Sequence, residues 1–252
     1  SAQTSPSPEL EQTPDGSAAT QSADASAFSI VPLGKPKLPE NGRILIYHTH
    51  STEGYEILDL GWYAKEYNSR TKDVSRNMIR VGDELTSVLE EAGFMVIHDR
   101  NIYDEAYDGA YSRSRVSVEQ YLKEYPSIQI TLDVHRDAIH YDDGTKCKPT
   151  ALINGKKAAQ VMLVMGSNTG SVTSFKSWKK NLALASRFQQ TMYNTYPTLT
   201  RSMLVSSKGY NQNLTTGSML IEIGTEANSL EEAENAAVLV GEALGKTLKK
   251  VS

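Results

Sequence analysis

The chain has 252 residues, 39% of them apolar and 22% charged, with a formal net charge of −4, enough for one large buried core or for one domain plus a tail. The acidic balance speaks against a nucleic-acid binder, which would carry a basic stripe. Its single cysteine, Cys147, excludes an internal disulfide framework and a cysteine-based zinc finger, so any metal must be held by histidine and carboxylate.

Residues 1–29 are Ser, Ala, Thr, Gln, Pro and acidic residues with one Leu and one Phe. Such a stretch cannot bury enough apolar surface to offset its ordering entropy and is expected to be a disordered linker. Residues 30–40 hold three prolines and extend it as a lead-in, leaving 41–252 as one domain. A linker of this kind most simply tethers a domain to a membrane anchor upstream, and equally it is a terminus with no role. No apolar run here reaches the about 18 residues of a spanning helix.

The first strand is Ile44–Tyr47, short, apolar and β-branched. It breaks at once into His48-Thr49-His50-Ser51-Thr52-Glu53-Gly54, which puts two of the five histidines and a carboxylate where a strand opens into a loop. In α/β folds the carboxyl ends of strands are where ligands bind. Residues 54–71 are loop, with a short helix conceivable at 61–66. Asp73–Glu91 is an amphipathic helix, with Val74, Met78, Val81, Leu85, Val88 and Leu89 at three- and four-residue spacings and Gly93 as its stop.

Phe94–His98 is the second strand, Ser114–Tyr125 a helix ended by Pro126, and Ile128–Val134 the third strand. This strand, helix, strand, helix, strand order predicts an α/β domain with right-handed crossovers: a mixed, mostly parallel sheet with helices on both faces. Downstream, Asn154-Gly155 signals a hairpin between strands at Thr150–Ile153 and Gln160–Met165. A helix over Asn181–Tyr196, with Tyr193 among its inward residues, precedes a short strand at Met203–Val205 and a polar loop over Gly209–Thr216. Met219–Ile223 is the last strand. Ser229 and Glu232 form an S-x-x-E capping box that opens a helix to about Leu248.

The third strand ends in Asp133-Val134-His135-Arg136-Asp137. A lone histidine there is ordinarily a polar residue where a strand surfaces. If strands one and three run parallel, however, His50 and His135 converge at one sheet edge. Glu222 is anomalous too, since a carboxylate inside MLIEIG is costly unless paired, protonated or metal-bound; the plain alternative is a solvent-facing position on an edge strand. Two imidazoles and one carboxylate make the set that holds catalytic zinc with a fourth position for water. A second carboxylate, Glu222, could then take the water's proton and return it to a departing amine. HTHSTE is not HExxH, so a helical zincin site is not expected.

YHTHSTEGY, DEAYDGAYSRSR, LDVHRDA and LIEIGTEANSLEEA together resemble the stage II sporulation protein P (SpoIIP) family from Ile44 to the C-terminus. That resemblance implies a zinc-dependent N-acetylmuramoyl-L-alanine amidase and endopeptidase of peptidoglycan, extracytoplasmic and membrane-anchored, acting with SpoIID and SpoIIM during engulfment of the forespore. It implies a zinc-amidase-like fold with Glu222 as the catalytic glutamate. Related amidases take a ligand glutamate from the start of the next helix; none stands at 71–74 here, so Glu53 is assigned as the carboxylate ligand, with Asp73 or Asn77 as substitutes. Register favours His50 over His48 as the first imidazole. His48, two residues earlier on the same side of an extended chain, would orient a ligand or touch substrate. Arg113 and Arg136 are candidates to fork a peptide carboxylate, and Arg136 is equally a salt-bridge partner for Asp133 or Asp137. His98 and His140 read as bystanders. Two other readings stay open: a zinc hydrolase of another peptide substrate, and a non-catalytic wall-binding scaffold.

Overall fold

A computed structural model describes residues 43–63, 67–168 and 175–251. The expected linker and lead-in over 1–40 fall outside these ranges. So does 64–66; residues 61–63, the rest of the short helix considered there, are not helical. The elements are β1 (Arg43–Tyr47), α1 (Met78–Glu91), β2 (Met95–His98), α2 (Ala110–Glu124), β3 (Ile128–Asp137), β4 (Thr150–Ile153), β5 (Lys156–Ala159), β6 (Val161–Gly166), α3 (Trp178–Thr195), β7 (Leu204–Ser206), β8 (Ser218–Thr225) and α4 (Leu230–Val251).

Six strands form one sheet in the order β2-β1-β3-β8-β6-β7, and β4 and β5 form a separate hairpin. All neighbours in the large sheet are parallel except β6, which runs against β8. The sheet is thus mixed and mostly parallel. Side-chain alternation sorts the strands between two apolar layers. Ile44, Ile46, Leu132, Val134, Ile221 and Ile223 meet the apolar faces of α1, α3 and α4. Leu45, Tyr47 and Ile128 meet Val118 of α2 on the other side. Fully burying each such aliphatic side chain is worth about 1.5–3 kcal/mol.

Local chemistry moves several boundaries. Helix α1 begins five residues later than the apolar spacing suggests, because Asp73 turns the chain onto its own Ser75 (N–Oδ1 3.0 Å) and Asn77 then caps Ile79 N at 3.0 Å. Val74 is left 40% exposed. Tyr193 of α3 likewise faces solvent. Helix α2 begins one turn early, from Gly109 with a φ of 80°. Asn154 and Gly155 both take positive φ, 52° and 78°, the tight turn that Asn-Gly favours, but they join β4 to β5 and not to β6. The Ser229–Glu232 capping box closes both ways, at 3.0 and 3.2 Å.

Candidate metal centre

β3 and β8 are adjacent and in register at His135 and Glu222, so these two side chains leave the sheet on the same face. β1 pairs with β3 up to Tyr47–Asp133, and the chain then turns through residues 48–52 across the carboxyl edge of the sheet. Within that turn Glu53 N donates to His50 O (3.1 Å), and Glu53 O accepts from Met78 N (2.9 Å) at the head of α1. This fold-back sets Glu53 between the two imidazoles.

His50, Glu53 and His135 are all buried, and their ligand-capable atoms lie within 4.8 Å of one another. His50 Nδ1 is 3.3 Å from Glu53 Oε1, and His135 Nδ1 is 3.4 Å from Glu53 Oε2. Four donors around zinc at roughly 2.0–2.1 Å stand about 3.3 Å apart at the corners of a tetrahedron. The donor set is one that zinc takes, and the two histidine–carboxylate separations match that spacing. Arg136 N and Arg70 Nη2 also reach Glu53, at 3.2 and 3.3 Å.

Charge is arranged to suit a cation. Burial alone would raise the Glu53 pKa, but hydrogen bonding to His135 and then to His50 holds it well below the ordinary value. His135 is the converse: burial works to lower it, yet Asp133 and Glu53 together hold it well above. Asp133 is fully buried. Its carboxylate accepts from Thr49 N (2.8 Å) and Thr49 Oγ1 (2.7 Å), and Oδ1 stands 2.8 Å from His135 Nε2, off the line a hydrogen bond needs. A carboxylate behind a ligand histidine fixes its ring and raises its basicity.

Glu222 sits on an interior strand, not an edge. Its Oε2 is shut off from solvent without a hydrogen-bond partner among the described residues, and burial, opposed by His135 and aided by Asp137 and Glu53, pushes the carboxyl up to about 8. Such a group can carry a proton near neutrality.

Aromatic rings wall the centre. Tyr107 stacks on His50 at 4.7 Å between centroids, with the Arg70 guanidinium 5.3 Å from its ring. Tyr111 lies edge-on to His50 at 5.7 Å and parallel to His135 at 6.4 Å. Burial, followed by the charges of Asp133 and Glu222, keeps the Tyr111 phenol well above its ordinary pKa.

The other candidates lie apart from the cluster. His48 is on the opposite face, with Nδ1 donating to Val134 O (2.8 Å) and Nε2 2.9 Å from His98 Nε2. Neither nitrogen is left for substrate or metal. The Arg136 guanidinium donates to Gly54 O (3.1 Å) and Ser69 Oγ (3.0 Å), and to no carboxylate side chain among the described residues. Arg113 holds the carbonyls of Tyr103 (2.6 Å), Asp108 (3.1 Å) and Ala106, and so ties down the loop that carries Tyr107. Asp73 and Asn77 serve as turn and cap. His98 faces His48 and Asp83, and His140 contacts Glu226. Sequence reasoning passed over Arg70, Tyr107 and Tyr111, which carry no pattern of their own. It also passed over Asp133 as an orienting group, although a spacing of two on a strand puts it on the face of His135.

The profile of the stage II sporulation protein P (SpoIIP) family matches residues 2–245. Stage II sporulation protein P of Bacillus subtilis (strain 168) is 32% identical over 208 residues, which cover 77% of this chain and 48% of that protein. The chain thus spans about half the length of that curated relative. Among solved structures, the CwlD amidase of Clostridioides difficile, determined in complex with the GerS lipoprotein, is similar with a TM-score of 0.52 at 13% identity, over 84% of this chain and 98% of that one. The catalytic domain of CwlV, an N-acetylmuramoyl-L-alanine amidase of Bacillus (Paenibacillus) polymyxa, gives 0.50 at 12% identity, over 83% and 97%. At those identities the likeness is one of fold.

Proposed function

The chain belongs to the stage II sporulation protein P family, and from that premise we propose that it is a zinc-dependent peptidoglycan hydrolase. It cleaves the amide between N-acetylmuramic acid and L-alanine, and peptide cross-links, during spore engulfment. The observation that carries this is the meeting of His50, Glu53 and His135 with Glu222 on the strand beside His135, a carboxyl suited to exchange a proton near neutrality. The domain works outside the cytoplasmic membrane, tethered by a segment ahead of residue 1 and alongside SpoIID and SpoIIM. No helix among the described residues is long and apolar enough to cross a membrane.

His50, Glu53 and His135 would hold the ion, with Asp133 keeping the His135 ring in place. Zinc in a three-ligand site supplies a Lewis acid for the scissile carbonyl and brings the pKa of a water down to roughly 7. Glu222 accepts the proton of the attacking water as its oxygen bonds to the carbonyl carbon. It returns that proton to the amide nitrogen as the C–N bond breaks, so the amine leaves neutral. The rings of Tyr107 and Tyr111 limit water on the His50 side.

Digestion of purified sacculi with mass spectrometry of the released fragments tests the proposal. Wild type frees stem peptides with an L-alanine amino terminus. Glu222→Gln frees none while keeping its fold and its zinc. Full release by that variant would remove Glu222 from the mechanism.

A further inference from the structure

We propose that Tyr111 is a catalytic residue: its phenol donates a hydrogen bond to the carbonyl oxygen of the scissile amide as that oxygen gains negative charge. The inference rests on the amidase reading above.

Three observations carry it. Among the described residues Tyr111 is the aromatic side chain that touches both candidate ligand histidines, His50 at 5.7 Å and His135 at 6.4 Å. Tyr107 meets only His50 of the two. The Tyr111 hydroxyl, on a half-buried residue, has no hydrogen-bond partner among the described residues, where only its backbone carbonyl is engaged. Its neighbour Tyr210, 6.0 Å away, has its hydroxyl on Ser206 Oγ at 3.2 Å. No protein group among the described residues therefore competes with a substrate carbonyl for the Tyr111 hydroxyl.

The third observation is how firmly the backbone that carries the ring is held. Asn211 donates from Nδ2 to Tyr111 O at 2.9 Å and to Ser114 Oγ at 3.2 Å. Tyr210 and Asn211 both take left-handed φ, 46° and 55°, which asparagine adopts readily and a bulky residue such as tyrosine holds only where surrounding contacts enforce it. Ser114 Oγ then meets Thr49 Oγ1 at 2.8 Å, and Thr49 grips Asp133 behind His135. One chain of contacts thus positions both the ligand histidine and the phenol, the preorganisation that stabilises a developing oxyanion. Nearby cations are already occupied. Arg70 bridges Glu53 and Asp104, Arg113 and Arg136 hold backbone carbonyls, and Arg201 pairs with Asp137. The phenol keeps its proton throughout, so no bond to it breaks.

Tyr111→Phe removes the hydroxyl and leaves the ring. In zinc-loaded protein acting on sacculi, kcat should fall about 10²–10³-fold with KM changed less than about two-fold. Zinc content and thermal midpoint should stay at wild-type values. In calorimetric titration, a phosphonamidate analogue of the muramoyl-alanine amide should bind Tyr111→Phe about 10²-fold more weakly, while the stem-peptide product binds both proteins alike. Wild type active and Tyr111→Phe within two-fold of it would overturn this assignment alone. Wild type that releases nothing would remove the amidase reading and Tyr111 with it. Loss of zinc from Tyr111→Phe would make the hydroxyl structural and overturn the proposal, as would the same kcat loss appearing in Tyr107→Phe and not in Tyr111→Phe.

Discussion

Two pairs of histidines flank the same strand end, one on each face of the sheet. His48 and His98 lie beneath α1, 2.9 Å apart through their Nε2 atoms. Burial brings them down to about 3 and about 4. Above them the helix carries Gly82, where an added Cβ would stand 2.4 Å from His98 Nε2 and 2.5 Å from His48 Nε2. On the other face His50 and His135 share Glu53, with Asp133 behind. The residue type is the same; the surroundings assign the role. The nitrogens of His48 and His98 are taken up by each other, by Val134 O and by Asp83, whereas His50 and His135 share one carboxylate buried between them.

Substitution should separate the pairs most sharply. His135→Ala or Glu53→Gln should strip zinc and end hydrolysis, read by metal analysis and sacculus digestion. His48→Ala should keep its zinc and lose about 2–4 kcal/mol of stability in denaturant unfolding, from the cavity and the unpaired Val134 carbonyl. Equal zinc loss in both variants would erase the distinction. Asp133→Asn should weaken zinc about 10–100-fold without releasing it, measured by competition with a chelator. Gly82→Ala should cost about 1–3 kcal/mol, because the helix must lift from the imidazoles; a neutral result would mean that α1 is free to shift.

The gentlest effect is a slope against pH in the metal-free protein. Glu222 has a folded pKa near 8, against 4.5 unfolded, so between those values the unfolded chain has released a proton that the folded one keeps. Its contribution is full below pH 4.5 and fades as pH rises toward 8, by at most about 1.4 kcal/mol per pH unit. His135, held above its ordinary value, has the same sign, lost as pH rises through its folded pKa. Glu53, held low, contributes above pH 4.5 and fades only below it. Denaturation of chelator-treated protein from pH 5 to 8 should therefore be flatter in Glu222→Gln than in wild type. Identical slopes would show that Glu222 titrates normally.

Much of the architecture was legible because it rests on period and punctuation. The order of strands and helices, the Ser229–Glu232 cap and the parallel pairing that brings His50 near His135 all follow from local pattern. Period-two reasoning failed at His48 because β1 ends at Tyr47 and the chain turns at the next residue. Two positions apart then no longer means one side. Val74 kept the helical spacing, but the Asp73 turn and the Asn77 cap won over it. Arg113 and Arg136 look like anion forks in sequence, and nothing local tells that backbone carbonyls already fill them.

A crystal structure of the zinc-loaded protein, with anomalous scattering at the zinc edge, tests the central claim most directly. It should place one ion within about 2.0–2.2 Å of His50, Glu53 and His135, with His48 and His98 still facing each other on the opposite side. An ion on the His48–His98 side, or none at the three-residue cluster under saturating zinc, would contradict it.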